Sequence, residues 1–196
     1  PREVRFILDA VQGCASSPWS LADAIEVGNE AARLGARWYE EPCQADDVAG
    51  YVQVRAALDV PISGVESNAR AGEFINLMEQ GAIDIAQPDV SFVGGHAAFR
   101  RVAQEAHARG ISCVPHVWGS GVTFMANLHS ALSQEGVELF ESCTLPNPLR
   151  DALLTEPVTM TSGEIHAPSG PGLGVELTAE IESQFPFVLG GGHVIR

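Results

Sequence analysis

Short apolar runs alternate along most of this chain with longer segments whose apolar residues recur at helical spacing. The runs lie at residues 4–9, 38–40, 61–66, 83–89, 111–116 and 137–141. Between them, residues 20–34, 46–58, 70–80, 96–109 and 122–132 place apolar side chains every third or fourth position. That spacing is typical of one face of a helix. Regular alternation of strands and helices predicts a parallel α/β sheet.

The repeating units are of nearly equal length, which favours a barrel over a doubly wound sheet. A complete (β/α)8 barrel needs about 250 residues, and the chain has 196. About six strand–helix units can be counted. The sequence therefore predicts a partial TIM barrel over residues 1–153.

The pattern changes after Pro146, where prolines and glycines become frequent. Short strands are expected at residues 158–160 and 164–166, and a short helix at 179–184. We interpret residues 154–196 as a C-terminal arm that leaves the barrel.

Each apolar run ends at an acidic residue or a histidine, and these residues recur every 23 to 31 positions. Unpaired charge is costly inside a core, whereas the carboxyl ends of barrel strands form the active-site face. The pattern is explained if the strand ends converge on one site. The six residues are Asp9, Glu40, Glu66, Asp89, His116 and Glu141.

Asp9, Glu40 and Glu66 end three consecutive predicted strands. Three carboxylates held close together repel one another, so they need a cation between them. Ligands that are all oxygen select a hard ion, with Mg²⁺ preferred over Ca²⁺ or Mn²⁺. For any one of these acids alone, a solvated loop carboxylate is the simpler interpretation, and the joint pattern favours the metal site.

Asp89 and His116 end the next two predicted strands. A histidine beside a carboxylate is oriented by it and kept basic enough to accept a proton near neutral pH. Taken alone, His116 after Pro115 would more often be structural, but its place in the series favours a catalytic role. Glu141, opposite the metal ligands, is positioned to donate a hydrogen bond to a developing oxyanion if its pKa is raised.

Composition narrows the possible partners and location. The net charge is −14, and all 11 basic residues are Arg. This argues against nucleic acid or an anionic membrane as partner, and the lack of Lys excludes a lysine Schiff base in this chain. The four cysteines form no C-x-x-C pair, and neither a membrane span nor a signal peptide is recognisable. Free thiols and a cytoplasmic location are expected.

The motifs around these residues resemble the barrel domain of the enolase superfamily, in its mandelate racemase/muconate lactonizing branch. They follow the order of that family along nearly the whole chain. The matching segments are Leu8-Asp9-Ala10, Trp38-Tyr39-Glu40-Glu41-Pro42, Gly64-Val65-Glu66-Ser67, Asp84-Ile85-Ala86-Gln87-Pro88-Asp89, Gly94-Gly95, Pro115-His116-Val117-Trp118-Gly119-Ser120-Gly121, Leu139-Phe140-Glu141, Pro146-Asn147-Pro148-Leu149-Arg150 and Gly170-Pro171-Gly172-Leu173-Gly174.

The resemblance implies a role for each residue of the series. Asp9, Glu40 and Glu66 would bind Mg²⁺. His116, paired with Asp89, would remove the proton α to a substrate carboxylate, and Glu141 would hydrogen-bond the resulting enediolate. The expected substrate is a small hydroxycarboxylate or acid sugar, and dehydration is the expected reaction.

The chain departs from the family pattern in three respects. Val11 stands where the family usually has Asn, the Lys-x-Lys end of the second barrel strand is missing, and no segment corresponds to the capping domain on which the arm would pack. The alternatives are a truncated homologue without turnover, a racemase, epimerase or cycloisomerase of the same superfamily, and an unrelated metal-dependent barrel lyase or hydrolase. An incomplete barrel exposes strand edges, so a homo-oligomer is also expected.

Overall fold

A five-stranded parallel sheet forms the centre of the molecule in the computed structural model, which describes residues 4–189. The strands lie side by side in chain order, each hydrogen-bonded to the next. They are β1 (Leu8–Asp9), β2 (Tyr39–Glu40), β3 (Ile62–Gly64), β4 (Ile85–Ala86) and β5 (Ser112–Cys113).

Helices connect the strands and cover the outer face of the sheet. Ser20 caps the first of them through a capping box with Asp23, which satisfies backbone amides at the start of the helix. The connecting helices are α1 (Leu21–Arg33), α2 (Val48–Ala57), α3 (Ala71–Glu79), α4 (Val90–Val93) and α5 (His96–Ala108), and α6 (Gly121–Leu132) follows β5. The predicted α/β barrel architecture of a partial chain is therefore confirmed.

The observed strands are shorter than the apolar runs, although the parallel pairing continues beyond them. Tyr39 donates its amide to the carbonyl of Pro61, and Glu41 donates to that of Ser63. Such single hydrogen bonds hold the strand ends together, so that the residues following each strand are fixed in place.

The sixth predicted strand, residues 137–141, is not a strand in this structure. Neighbouring residues of a parallel strand direct their backbone groups to opposite sides, and Ser112 and Val114 donate towards β4. The N–H of residue 115 would point to the other side, towards residues 137–141, but this residue is a proline and has no N–H. The side chains of Leu139 and Phe140 nevertheless pack onto buried clusters, so the apolar pattern predicted burial correctly and backbone pairing wrongly.

Two buried clusters lie on opposite faces of the sheet because successive side chains of a strand alternate. The larger cluster lies between the sheet and the helices and includes Tyr39, Phe74 and Phe99. The smaller cluster, on the inner face, consists of Trp38, Ile85 and Val114. Residues two positions beyond its members therefore also project from the inner face.

The segment after Pro146 packs on α6 through a third cluster that includes Phe124 and Leu128. It contains α7 (Pro148–Leu153), the antiparallel hairpin β6 (Met160–Thr161) and β7 (Glu164–Ile165), and α8 (Ala179–Gln184). The hairpin and α8 agree with the expected short elements, whereas α7 was not predicted. A division of the chain at residue 153, and packing of the arm on a capping domain, stay predictions.

All four cysteines are free, as expected. Within residues 4–189, no helix combines the length and the apolar character that crossing a membrane requires.

Candidate active site

The predicted site residues follow the carboxyl ends of the strands and meet around His116. Glu40 is two residues beyond Trp38, and His116 is two beyond Val114, so both project from the inner face. Charge interactions with His116 affect the pKa of Asp9, Glu40, Glu66 and Glu141, and Asp89 contacts it directly. The structure thus brings all six residues of the series together.

His116 and Asp89 form a hydrogen-bonded pair across the ends of β4 and β5. The Nδ1 atom of His116 lies 2.9 Å from Oδ2 of Asp89, and Nε2 lies 3.4 Å from Oε1 of Glu66. The imidazole side chain is 12% exposed, and the Asp89 carboxylate is fully buried. One ring nitrogen is therefore held by Asp89, while the other faces the carboxylate cluster.

Asp89 remains ionised despite its burial. Burial alone would raise its pKa, but hydrogen bonds from His116, Ser91 and Asn127 together hold the pKa below its ordinary value. Asp89 also caps the short helix α4, accepting the Ser91 amide at 2.7 Å. Asp89 is therefore a fixed, negatively charged partner for the imidazole of His116.

His116 has a pKa raised to about 9. Burial lowers the pKa, but the hydrogen bond with Asp89 and the charges of Glu66 and Glu141 raise it by more. In the absence of a cation the ring is therefore an imidazolium at neutral pH, and a positive charge near the acids would lower its pKa.

Five carboxylates interact with the charge of His116, and the pKa of each is raised: Asp9, Glu40, Glu41, Glu66 and Glu141. Burial is the main cause at Glu40, where the charge of Asp9 adds to it. At Glu66 burial and the charges of Glu41, Glu40 and Asp9 outweigh the opposing effect of His116 and raise the pKa to about 8. These shifts show that the carboxylates lie close enough to repel one another.

The donor set fits a hard divalent cation, since it offers only oxygen ligands and excess negative charge. Each predicted ligand nevertheless has another partner: Asp9 accepts the Val11 amide at 2.8 Å, Trp38 donates to Glu40 at 2.9 Å, and Glu66 faces His116. Among residues 4–189, no three His, Cys, Asp or Glu side chains already have the geometry of a metal site. A cation would therefore compete with these partners for the three carboxylates.

The backbone is strained beside each of the three predicted ligands. Val11, Glu41 and Val65 have φ angles of 52°, 46° and 64°, in the left-handed region that non-glycine residues seldom adopt. They lie within two positions of Asp9, of Glu40 and of Glu66, respectively. Strain of this kind persists where the surrounding structure fixes it, and it concentrates at functional sites.

Glu41 is a member of the cluster that sequence reasoning did not single out. It is only 3% exposed, its Oε1 atom has no hydrogen-bond partner among the described residues, and burial and the charge of Asp9 raise its pKa to about 7. A Cβ atom at Gly13 would collide with this carboxylate, so a larger residue there would displace the Glu41 side chain. The feature of the sequence that could have identified it is the second acidic residue of Glu40-Glu41-Pro42.

Glu141 interacts with the charge of His116, although its segment forms no strand. Its Oε2 atom accepts the amide of Val117 at 2.8 Å. Burial raises its pKa, with further contributions from the charges of Glu40 and Asp9. A carboxyl group in this environment is more readily protonated than one in water, and can donate a hydrogen bond when it is.

Comparison with known proteins gives a consistent result. Residues 1–181 match a sequence model described as Enolase C-terminal domain-like. The chain is 33% identical over 192 residues to D-galactarolactone cycloisomerase of Agrobacterium fabrum, covering 93% of this chain and 49% of that protein. It is 31% identical over 162 residues to arabinonate dehydratase of Saccharolobus solfataricus, covering 82% and 43%.

Among solved structures, an enolase superfamily member from Polaromonas sp. JS666 is similar with a TM-score of 0.88 and 32% identity, covering 98% of this chain and 50% of that one. The chain therefore spans about half the length of the relatives it matches.

Proposed function

Because this chain belongs to the Enolase C-terminal domain-like family of the enolase superfamily, we propose that its site removes the proton α to a carboxylate and forms an enediolate. Its relatives in this family include dehydratases and cycloisomerases. The proposed substrate is a small hydroxycarboxylate of the acid-sugar class, and the proposed reaction is its dehydration.

The observation that carries this proposal is the pair formed by His116 and Asp89. Asp89 accepts from Nδ1 of His116 at 2.9 Å, which leaves Nε2 directed towards the carboxylate cluster. When the ring is neutral, this tautomer has its lone pair on Nε2, the atom that we assign to proton abstraction. In a dehydration the resulting imidazolium returns the proton to the departing β-hydroxyl, which leaves as water while the carbon–oxygen bond breaks.

Asp9, Glu40 and Glu66 would hold Mg²⁺, in agreement with their oxygen donors and with pKa values that are raised by burial and, at Glu40 and Glu66, also by the charge of Asp9. When bound, the ion supplies positive charge that stabilises the dianionic enediolate, because an α-proton beside a carboxylate is only weakly acidic. The cation also offsets the repulsion among the carboxylates themselves.

Glu141 is assigned to the substrate carboxylate on the side opposite the metal ligands. Its Oε2 atom accepts from Val117, so Oε1 is the oxygen that we assign to the substrate. The raised pKa of Glu141 favours the protonated form, which donates a hydrogen bond to charge that develops on the substrate oxygen.

Exchange of the α-proton in deuterated buffer tests the proposal. A panel of aldonate and aldarate acids is incubated with the chain and Mg²⁺, and deuterium incorporation is followed by NMR. We expect exchange with at least one acid, and His116→Asn should reduce its rate at least about 100-fold. His166→Asn, an exposed histidine of the arm, is the matched control and should retain the rate. Equal rates in His116→Asn and the unchanged chain would refute the assignment.

Cycloisomerisation is the second candidate, and the relative of Agrobacterium fabrum favours it. Both reactions begin with the same proton abstraction, so exchange alone does not separate them. Product analysis does, since dehydration releases water and forms a keto-deoxy acid, whereas cycloisomerisation rearranges a lactone without loss of atoms. Absence of exchange with every acid, together with intact Mg²⁺ binding, would instead favour a chain without turnover.

A further inference from the structure

We propose that Asn127, on α6, is a positioning residue that fixes the carboxylate of Asp89 and through it the ring of His116. This proposal rests on the proposed function for its catalytic meaning. The contacts that carry it stand independently of that function.

Asn127 is fully buried, and each polar atom of its amide group has a partner. Its Oδ1 atom accepts the backbone amide of Val90 at 2.9 Å. Its Nδ2 atom donates to Oδ1 of Asp89 at 3.0 Å and to the carbonyl of Thr123 at 3.1 Å. A fully satisfied buried amide of this kind holds its neighbours in one arrangement.

The orientation of the Asn127 amide follows from its partners. The Val90 N–H can only donate, so the atom facing it must be the oxygen. The nitrogen is then the atom that faces Asp89 and the Thr123 carbonyl, both of which can only accept. Asn127 therefore presents a donor, and not an acceptor, to Asp89.

The two oxygens of Asp89 have separate partners as a result. Oδ1 accepts from Asn127 and from the amide and hydroxyl of Ser91, at 3.0, 2.7 and 2.6 Å. Oδ2 accepts from Nδ1 of His116. Because three donors hold Oδ1, the carboxylate cannot rotate without breaking them, and the His116 ring is aligned from a fixed point.

Asn127 also connects elements that are distant along the chain. It lies on α6, which follows His116, and it holds the start of α4 through Val90 and the end of the β4 segment through Asp89. Asn127 thereby ties the helix that follows His116 to the end of the β4 segment, in addition to the hydrogen bonds between β4 and β5.

The test observes the Nδ1 proton of His116 by NMR in the histidine-labelled chain, with the signal assigned by its loss in His116→Asn. Asn127→Asp is isosteric and keeps an acceptor for Val90, but it replaces the donor to Asp89 with an oxygen. Ser130→Ala is the matched control, because it removes another buried polar group of α6 whose partner is His96, at 2.7 Å.

We expect the Nδ1 proton to be downfield and protected from exchange with water in the unchanged chain and in Ser130→Ala. In Asn127→Asp and Asn127→Ala it should shift upfield or exchange faster, although the thermal unfolding curve remains cooperative. An unchanged signal in folded Asn127→Asp overturns the proposal.

If neither Asn127 variant folds, Ser91→Ala provides the test. Ser91 is exposed, and its replacement removes another donor to the same oxygen of Asp89. A smaller shift of the Nδ1 signal in the same direction supports the proposal, and no shift overturns it.

The exchange reaction gives a second measurement that separates the two proposals. We expect kcat for α-proton exchange to fall about 10- to 100-fold in Asn127→Asp, as for residues that orient a reacting group through another, while Mg²⁺ affinity stays unchanged. If the unchanged chain exchanges no acid but its Nδ1 signal depends on Asn127, the proposed function fails and the positioning role remains.

Discussion

The Oε1 atom of Glu66 lies 3.4 Å from Nε2 of His116, so the carboxylate that we assign to a metal faces the ring that we assign to proton abstraction. Burial would lower the pKa of His116, yet this carboxylate and Asp89 help to raise it to about 9. A ring with this pKa is a poor base at neutral pH because it already carries its proton. A cation bound to Glu66 would compete with the imidazolium for the same negative charge.

We therefore expect Mg²⁺ to lower the pKa of His116 and so to prepare the ring for proton abstraction. Following the Cε1 proton of His116 through a pH titration, with and without Mg²⁺, measures the effect. Glu66→Gln should lower the same pKa without any metal, since it removes the charge that faces Nε2. It should also weaken Mg²⁺ binding at least about 10-fold. Unchanged Mg²⁺ affinity in this variant would show that Glu66 is not a ligand.

The metal-free chain should lose stability as pH rises from about 5 to about 9. The pKa values of Glu41 and Glu66 are raised to about 7 and about 8 in the folded chain, so the folded state binds protons more tightly than the unfolded state above pH 4.5. The raised pKa of His116 acts in the same direction above pH 6.5, because the native ring keeps its proton longer.

Thermal unfolding at several pH values, in EDTA and in Mg²⁺, tests this dependence. We expect the Tm to fall with rising pH in EDTA and the fall to be reduced by Mg²⁺, which replaces the protons as the source of positive charge. A Tm that rises over this range in EDTA would contradict the predicted direction. Asp89, whose pKa is lowered, contributes stability that is lost only under more acidic conditions.

Two helical glycines should respond oppositely to the same substitution. A Cβ atom on Gly121, at the start of α6, would lie 2.7 Å from the carbonyl oxygen of Arg150, whereas one on Gly72, in α3, meets nothing within 4 Å. Gly121→Ala should therefore destabilise the fold by about 1–3 kcal/mol because the backbone of α7 must move. Gly72→Ala should stabilise it by about 0.5–1 kcal/mol. Chemical denaturation of both variants measures the difference, and equal midpoints would show that α6 and α7 do not pack this closely.

Self-association is expected at the free edge of β1. Among the described residues β1 pairs only with β2, and the neighbouring Phe6 and Ile7 are 39% and 44% exposed. Light scattering over a range of concentrations should show a mass that increases with concentration, and Ile7→Asp should reduce it. Leu34→Asp, at an exposed apolar residue beyond α1, is the control. A monomer at all concentrations would refute the prediction.

The order of elements and the centre of the site were predictable because both follow from periodic features. Alternating strands and helices implied a parallel sheet, and the acids and histidine at the strand ends implied a common site. The geometry of the His116–Asp89 pair agrees with that prediction. The metal assignment of Asp9, Glu40 and Glu66 stays a prediction, although the repulsion among these carboxylates supports it.

Features that depend on a single contact were not predictable. The missing ladder at residues 137–141 lies beside Pro115, which removes one ladder hydrogen bond because it has no N–H, and an apolar pattern does not contain such a detail. Asn127 has only apolar and small neighbours in sequence, and its role arises from a fold contact with Asp89. By contrast, Asn147 as N-cap followed by Pro148 is a recognisable start of α7.

The left-handed backbone at Val65 has a consequence for any attempt to make this protein more robust. Glycine adopts such a conformation without strain, and the backbone alone would make Val65→Gly an attractive change. The Val65 side chain, however, is fully buried in the large cluster between sheet and helices, and its removal would leave a cavity in that core. The same exchange would free the chain next to Glu66. Attempts to raise the melting temperature should therefore leave this strained valine in place and begin at positions such as Gly72, where an added side chain meets nothing.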